Sequence, residues 1–324
     1  MHPDADLERR FGGLRRLYGD AAYARLRAAR VAIVGVGGVG SWAAEALARC
    51  GIAQLTLVDL DHVAESNINR QIQALSTTIG QAKVDALRER IALIHPGCTV
   101  QAVDAFVERV EARAGAGGAA GASGTAQPAG EADALVAAST APPGAPASNW
   151  PALLPGPVDV VIDACDDAQA KLILARWALR GGTPLILCGA AGGKRDASRI
   201  QALDLVQASN DPLLARLRSQ LRREGLLPKA ADRAGKPRPP KASGLACVAS
   251  PEPVTRPQAN DACALDGSLN CHGYGSVVTV TATMGLVAAD AALHCIVSGR
   301  RPGRGRPAGA AEPFHADPRR SGPI

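Results

Sequence analysis

Between Arg30 and Asp59 the chain passes through an apolar stretch, Arg30-Val31-Ala32-Ile33-Val34, and a glycine turn, Gly35-Val36-Gly37-Gly38-Val39-Gly40. A helical pattern from Ser41 to Arg49 follows, then a second apolar stretch, Leu55-Thr56-Leu57-Val58, that closes on Asp59. A strand, a glycine turn, a helix and a strand ending in a carboxylate make a nucleotide pocket of the doubly wound α/β kind. Gly35 allows the tight turn, Gly37 and its neighbour Gly38 let backbone approach a phosphate, and Gly40 lets the helix pack closely on the sheet. The helix N-terminus offers unpaired N–H groups to the anion. Asp59 lies roughly 20 residues past the glycines, where a ribose hydroxyl is bound. Taken alone, this fingerprint points first to a nicotinamide oxidoreductase.

The residues after Asp59 change that reading. Asp59-Leu60-Asp61 runs on to Ser66-Asn67-Ile68-Asn69-Arg70-Gln71, and Lys83 stands in Gly80-Gln81-Ala82-Lys83 at the start of another helical pattern. A nicotinamide ring needs an apolar slot, which Arg70 and Lys83 do not offer. Two cations and two amides, Asn67 and Gln71, just beyond a ribose-binding carboxylate suit a triphosphate, whose charge must be neutralised before phosphorus is attacked. The alternative is that Arg70 and Lys83 are solvated helix charges.

The rest of the chain repeats the strand–helix alternation. Gln81 to Leu93 reads as a helix, Thr99 to Val103 as a strand, Val158 to Asp163 as a strand ending in acid, Gln169 to Arg180 as a helix and Pro184 to Cys188 as a strand. That order predicts a doubly wound, Rossmann-like, mainly parallel sheet. Beyond Gly189-Ala190-Ala191-Gly192-Gly193, a strand over Arg199 to Val206 and a helix opened by Asp211-Pro212 predict a mixed C-terminal extension of the same sheet. Residues 1–30 read as a basic helical segment and 31–298 as one nucleotide-binding domain. From about 113 to 147 the chain turns into Ala, Gly, Ser, Thr and Pro, which cannot bury enough apolar area to offset its ordering entropy. That insertion, a basic loop over 228–242 and the tail 299–324 are expected to be disordered. Val277 to Val297 is apolar enough to suggest a membrane span, but it contains Asp290; a core strand or turn leading into a buried helix is expected instead.

The 324 residues are 47% hydrophobic but only 3% aromatic, so aliphatic packing must form the core. The net charge of +6 is concentrated in two clusters, Arg9, Arg10, Arg15 and Arg16, and Arg216 to Lys241. Such clusters are solvated faces or polyanion contacts. None of the eight cysteines forms a Cys-x-x-Cys pair, which argues against zinc, and no signal segment opens the chain. A cytoplasmic protein with reduced thiols is therefore expected. Asp163 and Asp166 stand at the carboxyl end of a core strand, where such sheets bind ligands. Asp166 is the candidate ligand for the Mg2+ that accompanies a triphosphate, and the acids at 163, 166 and 167 can alternatively cap the next helix.

In order and spacing, Gly35 to Gly40, Asp59-Leu60-Asp61, Ser66 to Gln71, Gly80 to Lys83 and Asp163-Ala164-Cys165-Asp166 resemble the adenylating domain of ubiquitin-activating-like enzymes. The resemblance implies ATP as cofactor, with Asp59 on ribose, Arg70 and Lys83 on phosphates, Asp166 on magnesium, and Asn67 and Gln71 lining the pocket. Arg10-Phe11-Gly12-Gly13-Leu14-Arg15-Arg16 is similar to a motif whose last arginine reaches the phosphates of a neighbouring subunit, so Arg16 is expected to act within a homodimer. The segments Asp211-Pro212-Leu213-Leu214 and Cys271-His272-Gly273-Tyr274-Gly275-Ser276 look like the branch that cyclises threonylcarbamoyladenosine beside the tRNA anticodon. The implied chemistry adenylates the threonyl carboxylate and needs no enzyme thiol, which leaves Cys271 a pocket-lining role. A tRNA substrate and sulfur-transfer protein partners follow from the same resemblance. Adenylation of a ubiquitin-like sulfur carrier and a non-catalytic nucleotide-binding role remain as alternatives.

Overall fold

The computed structural model describes residues 5–110, 148–181, 183–229, 241–255 and 274–299. The expectations for 113–147, for most of 228–242, for Cys271-His272-Gly273 and for the tail beyond 299 lie outside those residues. Two helices open the described chain, α1 (Leu7–Tyr18) and α2 (Asp20–Ala28), followed by β1 (Arg30–Val34), α3 (Gly40–Arg49) and β2 (Gln54–Val58). Then come α4 (Lys83–Ile94), β3 (Thr99–Val103), β4 (Val160–Asp163), α5 (Ala168–Leu179) and β5 (Leu185–Cys188). The described elements end with β6 (Gln201–Asp204), α6 (Pro212–Arg223), β7 (Ala246–Ala249) and α7 (Val278–Ser298).

The seven strands form one sheet in the order β3-β2-β1-β4-β5-β7-β6. Every pair is parallel except β6 with β7, so the expected mixed extension sits at one edge. The strand order reverses at β1, and in such sheets the ligand crevice lies at that switch point, outside the carboxyl ends. Register makes the crevice concrete: Val34 pairs with Val58 on one side and with Asp163 on the other. Gly35, Asp59 and Ala164 therefore leave the sheet side by side.

The inner strands are buried on both faces, which is why they read as unbroken apolar runs without alternation. One face packs Leu47, Leu87, Ile91, Met284 and Leu293 from α3, α4 and α7; the other packs Leu174, Leu217 and Leu221 from α5 and α6. Full burial of each such side chain contributes about 1.5–3 kcal/mol. Trp150 and Trp177 meet edge to face at 5.5 Å below that second layer.

Two expectations need correction, and one strand was not expected at all. The chain is helical from Val278 onward, with no strand or turn leading in after that point. Thr279, Thr281 and Thr283 have the alternate spacing of a strand, but the Thr281 hydroxyl turns back to the Val277 and Val278 carbonyls while its neighbours pack on the sheet. Gly285 lets this helix approach α3 so closely that a Cβ there would lie 2.8 Å from that of Trp42. The strand expected over Arg199 to Val206 shrinks to Gln201–Asp204, because Asp196 and Asp204 each cap a short 3-10 turn on either side. β7 had no expectation of its own: Ala246-Cys247-Val248-Ala249 is short and apolar, and only long-range pairing defines it.

The two N-terminal helices commit much of their positive charge to structure. Arg10 donates to the Leu93 and Ile94 carbonyls at the end of α4, Arg25 to Val297 at the end of α7, and Arg27 to Gly51 just after α3. Three helix C-termini on one face of the sheet are thus met by guanidinium groups, the favourable sign for the helix dipole. Arg15 pairs with Glu8 and Asp20 and lies over Tyr23. Arg218, in the second cluster, holds the Leu205 and Ala208 carbonyls.

Candidate nucleotide site

The glycine turn is shaped from below. Gly35 adopts φ 81°, and a Cβ on it would lie 2.7 Å from the Cys165 nitrogen, so the turn at the end of β4 presses directly on the glycine loop. A Cβ on Gly40 would overlap the Gly35 carbonyl oxygen. Gly35 N–H donates to the Val58 carbonyl at 2.8 Å, and Val36 N–H donates to Asp59 Oδ2 at 2.7 Å. The Gln73 amide donates to the Val36 carbonyl at 2.9 Å. Gly37 stays open above, since a Cβ on it would be 3.7 Å from Gln71 Nε2, whereas Gly38 is closely covered: a Cβ there would be 3.2 Å from Thr281 Cγ2.

Asp59 thus has a structural duty beside its expected ligand. Its Oδ1 accepts from Asp61 N–H at 2.9 Å and lies 4.0 Å from Lys83 Nζ. Burial pushes the Asp59 carboxyl above its ordinary pKa, while Lys83 and the two backbone donors pull it back. Lys83, buried at the first position of α4, rests its ammonium 2.6 Å from Asp61 Oδ2. The Asp61 side chain is 56% exposed, so arriving phosphates can draw Lys83 from it without burying a carboxylate.

Arg70 is buried, and its Nη1 donates to the Ser66 carbonyl at 2.6 Å and to Asn69 Oδ1 at 2.9 Å. Its own carbonyl accepts from Trp42 Nε1 at 3.0 Å and from Thr281 Oγ1 at 3.4 Å, so α3 and α7 fix the backbone that carries the guanidinium. Asn67 turns its Oδ1 to the Ala64 N–H at 3.1 Å and closes the 3-10 turn over Glu65–Asn67. Gln71 accepts from Gln73 at 3.1 Å.

At the end of β4 three acids divide the work. Asp167 caps α5, its Oδ1 accepting from Ala170 N–H at 2.6 Å. Asp163 is fully buried, with Oδ1 accepting from Lys171 Nζ at 3.0 Å and from the Cys165 N–H and S–H. Burial raises the Asp163 pKa against the pull of Lys171; for Lys171, burial lowers the pKa, but Asp163 outweighs it and holds the ammonium charged. Asp166 is left exposed, with no hydrogen bond or ion pair among the described residues. Those residues contain no group of three His, Cys, Asp or Glu that could cage a metal. One free carboxylate beside a phosphate cradle fits Mg2+, which keeps waters and phosphate oxygens as its other ligands.

The structure therefore brings Gly35, Gly37, Gly38, Gly40, Asp59, Asp61, Asn67, Arg70, Gln71, Lys83 and Asp166 to one edge of the sheet. Among the described residues no contact joins Arg16 to them. It stands exposed and unpaired among the described residues, six positions after the Arg10 that docks α1 on the far end of α4 from Lys83. Sequence reasoning missed Lys171, Trp42, Thr281 and Gln73, which hold the site from behind. Lys171 alone left a trace, as a lysine inside the apolar run Ala168-Gln169-Ala170-Lys171-Leu172-Ile173-Leu174.

The ThiF family profile matches residues 10–316. The chain belongs to the ThiF family. Two near-full-length ThiF relatives are tRNA threonylcarbamoyladenosine dehydratases. That of Haemophilus influenzae is 36% identical over 282 residues, 87% of this chain and 90% of that one. That of Escherichia coli is 35% identical over 293 residues, 88% of this chain and 92% of that one. The crystal structure of E. coli tRNA N6-threonylcarbamoyladenosine dehydratase in complex with ATP superposes with a TM-score of 0.68 at 33% identity, covering 92% and 98% of the two chains. The likeness thus extends past the nucleotide half to the strands β5, β7 and β6.

Proposed function

We propose that this ThiF-family chain is an ATP-dependent tRNA threonylcarbamoyladenosine dehydratase. The observation that carries the reading is the near-complete coverage of dehydratase relatives, joined to a crevice whose cations and glycine turn suit a triphosphate. The threonyl carboxylate of the modified adenosine attacks the α-phosphorus of ATP, forming an acyl-adenylate and releasing pyrophosphate. The modification's own carbamoyl group then closes onto the activated carbonyl and expels AMP, with net loss of one water. No side chain has to act as nucleophile.

The glycine turn and the α3 N-terminus position the phosphates. Arg70 and Lys83 supply fixed positive charge where negative charge builds on the transferred phosphorus. Asp59 takes a ribose hydroxyl while keeping Val36 N–H, which couples ribose recognition to the shape of the phosphate loop. Asp166 would hold Mg2+, which when bound neutralises phosphate charge. Arg16, exposed on α1, completes the charge in a homodimer by reaching the partner's crevice. A tRNA substrate, a cytoplasmic location and contact with sulfur-transfer proteins belong to the same reading.

ATP–pyrophosphate exchange tests the substrate assignment. Exchange stimulated by threonylcarbamoyladenosine-bearing tRNA, but not by unmodified tRNA or a ubiquitin-like sulfur carrier, is expected. Exchange driven by the carrier alone would replace this reading with carrier activation.

A further inference from the structure

Lys194 is a buried cation that the proposed reaction does not use. It follows Gly193, whose φ of 71° suits glycine, and its residue is 2% exposed. The ammonium donates to three backbone carbonyls: Asn210 at 2.8 Å, Ser250 at 3.2 Å and Glu252 at a closer approach. No carboxylate lies within ion-pair distance of it among the described residues. Three ammonium protons and three carbonyl oxygens match in number, so the group is satisfied without a counter-charge in direct contact. Burial lowers its pKa, while Asp211 and Glu252, farther off, act in the other direction.

The three carbonyls come from separate segments at the carboxyl edge of the sheet. Asn210 precedes α6, while Ser250 and Glu252 follow β7. Other bonds close the same corner. Asp211 accepts from Ala190 N–H at 2.8 Å and Leu214 N–H at 3.0 Å. The Glu252 carboxylate accepts from the Arg195 and Asp196 N–H groups. The corner also touches the nucleotide site: Gly193 N–H donates to the Gly275 carbonyl at 3.0 Å, and the next carbonyl, Ser276, accepts from Asn69, whose Oδ1 holds Arg70.

Backbone carbonyls converging on one point, without a carboxylate in contact, are how proteins replace the hydration shell of a monovalent cation. We infer that Lys194 is a covalently tethered monovalent cation, and that a variant lacking its ammonium leaves a carbonyl-lined cage that takes a free one, K+ or NH4+. Here the chain supplies the cation itself, so assembly of the corner is independent of salt composition. The inference stands apart from the substrate assignment, because its first readout is stability.

The test compares wild type, Lys194→Ala and Lys194→Gln by thermal unfolding at constant ionic strength, with KCl or NH4Cl replaced stepwise by choline chloride. The expected result is a wild-type Tm indifferent to the exchange and a Lys194→Ala Tm that rises saturably with K+ or NH4+. Lys194→Gln keeps amide donors for two carbonyls, so it is expected to fold even if the alanine variant does not, with a smaller response to the same ions. Pyrophosphate exchange by the variants should recover over the same concentration range. Equal Tm values for both variants in potassium and choline would overturn the inference. So would a wild-type Tm with the same saturable dependence on K+.

Discussion

Lys171→Met isolates the buried pair beneath the turn that carries Asp166. Both partners are fully buried, and the substitution leaves Asp163 with only the Cys165 N–H and S–H as donors. Its Oδ2 already lacks a partner among the described residues. A carboxylate stranded this way escapes its desolvation cost by taking up a proton. At pH 7, protonating a group whose ordinary pKa is 3.8 costs about 1.4 kcal/mol for each of roughly three pH units, or about 4 kcal/mol. That figure is a ceiling and agrees with the ~3–5 kcal/mol found when one member of a buried pair is removed.

The sign of the pH dependence is distinctive. In the variant the folded-state pKa of Asp163 stands above the unfolded value, so folding takes up a proton and stability falls as pH rises above about 4. The destabilisation should therefore shrink from about 4 kcal/mol at pH 7 to about 1.6 kcal/mol at pH 5. Urea unfolding at pH 5, 6 and 7, with m unchanged, measures it. Adding Asp163→Asn to Lys171→Met removes the titrating group and should flatten the slope. A loss of stability that does not vary between pH 5 and 7, or one below about 1 kcal/mol, would refute the reasoning.

Gly40→Ala forces a methyl against the Gly35 carbonyl; about 1–3 kcal/mol of stability and at least tenfold in ATP affinity should be lost, and calorimetry showing unchanged affinity would contradict the geometry. Asp167→Ala removes the α5 cap and should cost about 1 kcal/mol, whereas Asp166→Ala should leave urea stability nearly unchanged, and the reverse order would exchange their roles. Mixing Arg16→Ala with Lys83→Ala subunits should restore activity, to roughly a quarter of wild type if subunits pair at random, because each mixed dimer holds one complete site. No recovery would place Arg16 outside the partner's site.

The nucleotide half was legible in the sequence because each of its requirements is local. A glycine turn, an acid at the end of the next strand and cations at fixed offsets leave marks within fifty residues. Asp211-Pro212 marked the start of α6 for the same reason, with the acid as cap and the proline at the first turn. What the sequence concealed is long-range. β7 exists only because Ala246 to Ala249 fit between β5 and β6. The helical start of α7 was hidden by three threonines whose spacing suits a strand, until packing on the sheet decided the matter. Lys171 and Lys194 carried no expected role, since nothing near them in sequence names the Asp163 carboxylate or the three carbonyls they serve. The basic residues act in the opposite sense: Arg10 and Arg218 in the two clusters, and Arg25 and Arg27 between them, hold helix and turn carbonyls, leaving fewer charges for a polyanion than composition suggested.

The central claim, that this crevice spends ATP to remove water from a modified adenosine in tRNA, is tested most directly by nucleoside mass. Threonylcarbamoyladenosine-bearing tRNA incubated with the protein, ATP and Mg2+, then digested, should yield a nucleoside lighter by one water. AMP and pyrophosphate should appear in equal amounts, and Arg70→Ala and Lys83→Ala should abolish the change. A nucleoside of unchanged mass, after the protein has been shown to bind ATP and the tRNA, would contradict the account.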